Sequence, residues 1–251
     1  MSSRPFSRAG HDIGLAGMQA RSGRTLAGNT APMPLHTHND PPTMPHSGEQ
    51  PHERLTRAVP LAGTPGQAYV ERRGIPLAIA DAAGVRFDPD WNGRAAVLIG
   101  MYDRDTQLAS VHGRYLETGR GQDKMFTIGA GGGVATTGAG WHGEPLILVE
   151  GIFDALSLAV CGWDGVATIG RWAPWLPEVC ARRIVWLAFD ANAPGEDEVT
   201  HYVQRLPRST TRRLLPPPHC KDWNTALRKR GPAAMSRWLR DSIQARATTA
   251  R

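Results

Sequence analysis

The chain has 251 residues, 41% apolar and 21% charged, with a formal net charge of +6. That length suffices for one large or two small domains with a real hydrophobic core, and no run of 18 apolar residues offers a membrane span. Met1–Gly10 lacks the apolar core of a secretory signal. Cys161, Cys180 and Cys220 are odd in number and far apart, which excludes a disulfide framework or a C-x-x-C zinc site and makes a cytoplasmic protein with reduced thiols the expectation.

Charge is unevenly spread. Residues 61–170 carry 8 basic and 12 acidic groups, and residues 171–251 carry 15 basic and 7 acidic. A basic final third beside an acidic middle fits a polyanionic partner next to a carboxylate-rich site.

Residues 1–63 read as an unstructured segment. Six prolines fall between Gly28 and His52, with almost no apolar periodicity, so little surface is available to offset the entropy of ordering. His36, His38, His46 and His52 read as part of a polar linker, since no cysteine or carboxylate pattern joins them. Order is predicted from Thr64, with short helices over 65–71 and 76–83 separated by the turn Arg73-Gly74-Ile75-Pro76. The apolar run 95–102 and the segment 107–116 read as a hairpin around Asp103–Thr106. Residues 64–142 are therefore predicted to form a small α+β subdomain. The glycine-rich stretch 129–140 lacks G-K-[ST], so it is no nucleoside-triphosphate loop and reads as a flexible connector.

From residue 143 to 246 strands and helices alternate. Strands are predicted at 146–149, 165–169, 184–189 and 211–215, with helices at 153–161, 174–181, 195–205, 222–229 and 232–245. Such alternation predicts an α/β domain with a sheet of about four mainly parallel strands, covered on both faces. Trp186 belongs in that core. Trp172, Trp175 and Trp223 lie nearer the cleft but also read as packing residues, and Cys161 and Cys180 as buried thiols.

Ligand sites in open parallel sheets lie beyond the carboxyl ends of the strands. Glu150 follows the first strand in V-E-G-I-F-D, with Asp154 one turn into the helix. Asp190 ends the third strand in A-F-D-A-N-A-P-G-E. Lys221 and Asp222 follow the fourth in K-D-W-N. Carboxylates gathered in one cleft repel one another unless a cation neutralises them. Hard oxygen donors select Mg²⁺ or Mn²⁺, which can bridge to phosphate and polarise a phosphoryl or nucleotidyl transfer. Glu196 and Asp197, a turn further on, read as helix N-terminal charges.

These motifs resemble the Toprim domains of DNA primases, topoisomerases and some nucleases. E-G-x-x-D follows one strand, and a variant of D-x-D, with Asn192 at the second acid, follows another. The resemblance to the RNA-polymerase core of bacterial and phage-type primases extends upstream. It takes in Arg73–Phe87, the hairpin Ala96–Leu116 with its Gly-Arg pair, and Asp123–Ile128. The ending K-D-W-N is similar to that of Toprim proteins of phages, plasmids and integrated elements. The resemblance implies Rossmann-like Toprim architecture and Mg²⁺-dependent (or Mn²⁺-dependent) synthesis of short RNA primers. Single-stranded DNA would be the template, ribonucleoside triphosphates the substrates and a replicative helicase a partner, with no membrane.

It further implies Glu150, Asp190 and Asp154 as the catalytic acids, and Glu150, Asp190, Asn192 and Asp222 as the metal-ligand set. Arg114, Lys124 and Lys221 would meet nucleotide or nucleic acid. Asn192 brings no charge, and the N-terminal Cys/His metal module usual in such primases is not matched by the three cysteines. A Toprim nuclease, and a catalytically weakened DNA-binding accessory protein of a mobile element, are the alternatives.

Overall fold

The computed structural model of the protein describes residues 50–248. Among them no helix is long and apolar enough to cross a membrane. The histidine-bearing stretch up to His46 lies outside the described residues, whereas Pro51–Arg57 forms helix α1 and Val59–Pro60 strand β1. The unstructured reading of 1–63 therefore fails for its last part. Proline at the first helical position and a bond from the Gln50 amide to Glu53 Oε2 (3.2 Å) start this helix.

Helices α2 (Pro65–Arg72) and α3 (Leu77–Ala82) follow as expected. Next come β2 (Arg86–Trp91), β3 (Arg94–Tyr102), β4 (Leu108–Tyr115) and β5 (Met125–Gly129). These four strands and β1 form one antiparallel sheet in the order β1-β2-β3-β4-β5. Gly113 of β4 has to be glycine, because a Cβ there would lie 2.1 Å from the indole nitrogen of Trp91.

The second sheet holds β6 (Ala135–Thr136), β7 (Leu146–Val149), β8 (Val166–Ala167), β9 (Ile184–Leu187) and β10 (Thr210–Arg213), in the order β10-β9-β7-β8-β6. All neighbours are parallel except β6 against β8. This is the expected mainly parallel α/β sheet beside a smaller α+β unit. Strand parity sorts its side chains. Ile147, Val149 and Trp186 face a core shared with α4 (Ile152–Val160) and α7 (Trp223–Thr248). Leu146, Leu148, Val185 and Leu187 face a core with α5 (Leu176–Cys180) and α6 (Ala193–Arg205). Continuous burial on both faces is why β7 reads as an unbroken apolar run. Helix α7 is broken at Gly231, whose φ of 75° and the following Pro232 separate the two helices expected from the sequence.

The glycine-rich stretch is not a free connector. It carries β6, and Tyr102 and Val134 exchange backbone hydrogen bonds of 2.8 and 2.9 Å. Val97, Ile99 and Met101 of the first sheet share one core with α4 and β7 of the second. The sheets therefore meet along a common wall, and the site lies where they meet.

Candidate functional site

A cavity of about 400 Å³ opens at the carboxyl ends of the second sheet and against β4 and β5 of the first. Glu150, Asp154, Asp190, Lys221 and Asp222 line it from one side, and Arg114 from the other. Lys124 and Asn192 are not among its lining residues.

The chain positions each acid by a local device. Glu150 directly follows β7, and Gly151 is the N-cap of α4. Asp190 is held through its backbone. Arg213 on β10 donates to the carbonyls of Leu187 (3.0 Å), Phe189 (2.9 Å) and Asp190 (2.9 Å), and to Glu196 Oε1 at 2.7 Å. Glu196 is thereby engaged in the ion pair that pins the loop. Gly195 opens α6 so close beneath that a Cβ would lie 2.1 Å from the Asp190 carbonyl oxygen. Asn192 caps this helix, its Oδ1 accepting from the Gly195 amide at 2.8 Å, while its Nδ2 lies 3.4 Å from Asp190 Oδ2. The Ala191 amide donates to the Lys221 carbonyl at 2.6 Å, tying the third acidic loop to the second.

Asp222 accepts from the Thr225 amide at 2.6 Å, as an N-cap of α7 does. Lys221 Nζ stands 2.8 Å from Asp222 Oδ2 and 3.8 Å from Asp190 Oδ2, with its side chain 66% exposed. Asp154 is buried beneath them. Its Oδ1 accepts from the Asn224 amide at 3.0 Å, and Asn224 Nδ2 donates to the Arg73 carbonyl (2.9 Å) and Ser157 Oγ (3.0 Å).

Electrostatics follow from this crowding. Restricted hydration raises the Glu150 carboxyl above its usual range, with Asp190 adding to the effect. Asp190 is raised by the same loss of water and by Asp222, against Lys221 and Arg213. Burial pushes Asp154 up to about 7, with Asp222 contributing. Burial also opposes ionisation of Asp222, but the hydrogen bonds from Lys221 and Thr225 hold it below the carboxylate range. The bond to Asp222 keeps Lys221 above its ordinary value and charged.

Three residues outside the sequence reading of the site join the wall. Arg73 stacks on Phe153 (4.2 Å) and Tyr69 (5.0 Å) and donates to Asn224 Oδ1 at 3.2 Å. Arg228 reaches the cavity from α7, and His112 from β4. Arg228 had only the basic run R-K-R as a signal, and His112 only its place two residues before Arg114 in a strand. Arg114 Nε is buried with no hydrogen-bond partner among the described residues. Such an orphan donor at a cavity wall is a place for an anion.

The donor set suits a hard divalent cation, because Glu150, Asp190 and Asp222 line one cavity and the charges of Asp190 and Asp222 oppose ionisation of Glu150. Among the described residues no three acidic, imidazole or thiol groups stand close enough to enclose an ion. Mg²⁺ rarely has such a cage, being held by one or two carboxylates with water and phosphate. Lys221 supplies the positive charge between Asp190 and Asp222.

Residues 147–227 match a family model described as Toprim-like. No curated protein matches the chain. Among solved structures, the zinc-binding and RNA polymerase domains of the Aquifex aeolicus primase align over 78% of this chain, with TM-score 0.57 and 16% identity. The chain spans 62% of that protein's length. A DnaG primase catalytic domain bound to single-stranded DNA aligns over 78% of this chain and 80% of its own, with TM-score 0.56 and 18% identity. The RNA polymerase domain of Mycobacterium tuberculosis DnaG aligns over 77% and 84%, with TM-score 0.57 and 13% identity. At these identities the likeness is one of fold. Residues 147–227 are thus a Toprim-like segment, set in a chain whose fold is like that of primase catalytic cores.

Proposed function

We propose that the protein is a DNA primase-like nucleotidyltransferase that joins ribonucleotides on a single-stranded DNA template. The observation that carries this reading is that one cavity is lined both by acids (Glu150, Asp190 and Asp222) and by cations (Arg73, Arg114 and Arg228). A triphosphate needs cations along its length, and a nucleotidyl transfer needs carboxylates at its reacting end. The match to a primase domain bound to single-stranded DNA supports the same reading.

In the proposed reaction a 3′-hydroxyl attacks the α-phosphorus of a nucleoside triphosphate, a phosphodiester forms and pyrophosphate leaves. Asp190 and Asp222, with Glu150, would hold Mg²⁺ or Mn²⁺, which supplies charge neutralisation at the phosphoryl oxygens when bound. Glu150, raised and partly dehydrated, accepts the proton of the attacking hydroxyl. Arg114 and Arg228 bind phosphate oxygens, and Lys221 stays charged to neutralise the leaving group or the paired acids. Asp154 holds the start of α7, and with it Asp222, in place. Lys124, away from the cavity, would meet template phosphates, and a replicative helicase partner rests on the family resemblance alone.

The test is incorporation of labelled ribonucleotides on single-stranded DNA with Mg²⁺ or Mn²⁺. Short RNA products are expected, reduced at least about a hundredfold by Asp190→Ala. No product from the wild-type chain, or equal product from Asp190→Ala, would contradict the reading. A second reading, a DNA-binding accessory protein without catalysis, is favoured by the engagement of Asn192 as a helix cap and of Lys221 between the acids. Salt-sensitive DNA binding with no affinity for Mn²⁺ would select it.

A further inference from the structure

His112 is 4% exposed and lines the cavity. It lies two residues before Arg114 on β4, so both side chains leave the same face of the strand. Its Nδ1 is 2.9 Å from Thr127 Oγ1, directly opposite on β5. The second nitrogen, Nε2, makes no hydrogen bond among the described residues, and the residue lines the cavity. Buried polar groups are normally paired. A fixed ring with one nitrogen left open at a cavity wall is arranged for a ligand.

The ligand group at this point is uncharged. Burial, with Arg114 and Arg171 close by, pushes His112 down to about 3, so the imidazole is neutral at any working pH. A neutral ring offers phosphate no charge, and Arg114 beside it already offers that. Met125 pairs with Arg114 across the strands, lines the same cavity and is 48% exposed. Ile169 lines the wall as well. A neutral hydrogen-bonding ring beside an exposed thioether suits the nucleoside half of a nucleotide, apolar on its faces and polar at its edges.

We propose that His112 and Met125 form a nucleoside subsite, in which His112 Nε2 hydrogen-bonds a sugar hydroxyl or base edge of the nucleotide whose phosphates Arg114 engages. The proposal rests on the nucleotidyltransferase reading and places the nucleoside beside the phosphates that Arg114 engages. The chain would thereby distinguish a nucleotide from a bare polyphosphate.

The experiment uses the full chain with ¹⁵N-labelled histidine, titrated with ATP, 2′-deoxy-ATP and inorganic tripolyphosphate. ATP is expected to shift the His112 Nε2 resonance and tripolyphosphate to leave it unmoved. Loss of the shift with 2′-deoxy-ATP assigns the 2′-hydroxyl, and its retention assigns the base or the remaining sugar. His112→Phe is expected to weaken ATP about tenfold and tripolyphosphate not at all. His112→Gln, which keeps a polar end, is expected to recover most of the loss. Should His112→Phe destabilise the fold, the resonance shift decides alone. ATP binding with no shift at His112 overturns the subsite and leaves the enzymatic reading standing, whereas tripolyphosphate bound as tightly as ATP overturns the subsite, and failure of the wild type to bind ATP at all overturns both.

Discussion

The Asp154 carboxylate accepts a hydrogen bond from the Asn224 amide at 3.0 Å, joining the first turn of α4 to the first turn of α7. The Asn224 side chain continues the link to Ser157 and to both the carbonyl and the guanidinium of Arg73. One asparagine thus connects the helix after Glu150, the helix after Asp222 and the turn after α2. Asn224→Ala removes three hydrogen bonds and leaves buried partners unsatisfied. The expected cost is about 2 kcal/mol of unfolding free energy, read by urea denaturation.

The start of α6 separates capping from metal binding. Asn192 Oδ1 is committed to the Gly195 amide, so Asn192→Ala should cost about 1 kcal/mol of stability as a lost N-cap. It should change Mn²⁺ affinity less than about twofold, since its oxygen faces the helix. Gly195→Ala has the opposite signature. Its Cβ would collide with the Asp190 carbonyl, so a drop of about 10- to 100-fold in Mn²⁺ affinity is expected as Asp190 moves. Calorimetric titration of both variants checks the contrast.

The parallel half of the fold was legible because β7 and β9 are short apolar runs between amphipathic helices, which only a doubly covered sheet explains. Strand β2 was not legible, because Asp88-Pro89-Asp90 sits within it and its pairing with β3 shifts register there. Strand β5 was hidden by its half-exposed edge position. The predicted strand at 165–169 shortens to 166–167, and Ile169 turns away with φ 54°. At the site, acids at strand ends announced themselves by position. Arg213, which pins Asp190, carried no signal, since an arginine at the end of a polar strand reads as surface.

His112 makes stability sensitive to acid. Its folded pKa lies near 3, below the ordinary 6.5 that the unfolded chain recovers. The unfolded state therefore binds a proton below pH 6.5 that the folded state refuses, and stability falls as pH drops from 6.5 toward 3. At pH 5 the loss from this group is about 2 kcal/mol. His112→Gln should lose correspondingly less stability than wild type between pH 7.5 and pH 5, in parallel denaturation curves.

Lys221 competes with a divalent cation for Asp190 and Asp222. Replacing it by methionine removes the ammonium 2.8 Å from Asp222 and 3.8 Å from Asp190. Because the side chain is largely exposed, the competition is screened, and a gain of about tenfold in Mn²⁺ affinity is expected for Lys221→Met. Unchanged or weaker binding would place Lys221 outside the cation's position.

The central claim is that Asp190 and Asp222, brought from separate loops to one cavity, hold a divalent cation. Mn²⁺ titration followed by electron paramagnetic resonance on the wild type and on the double variant Asp190→Ala/Asp222→Ala addresses it most directly. Saturable binding in the wild type, lost in the double variant while its fold is retained, is the expected result. No saturable binding in the wild type, or undiminished binding in the double variant, would contradict it.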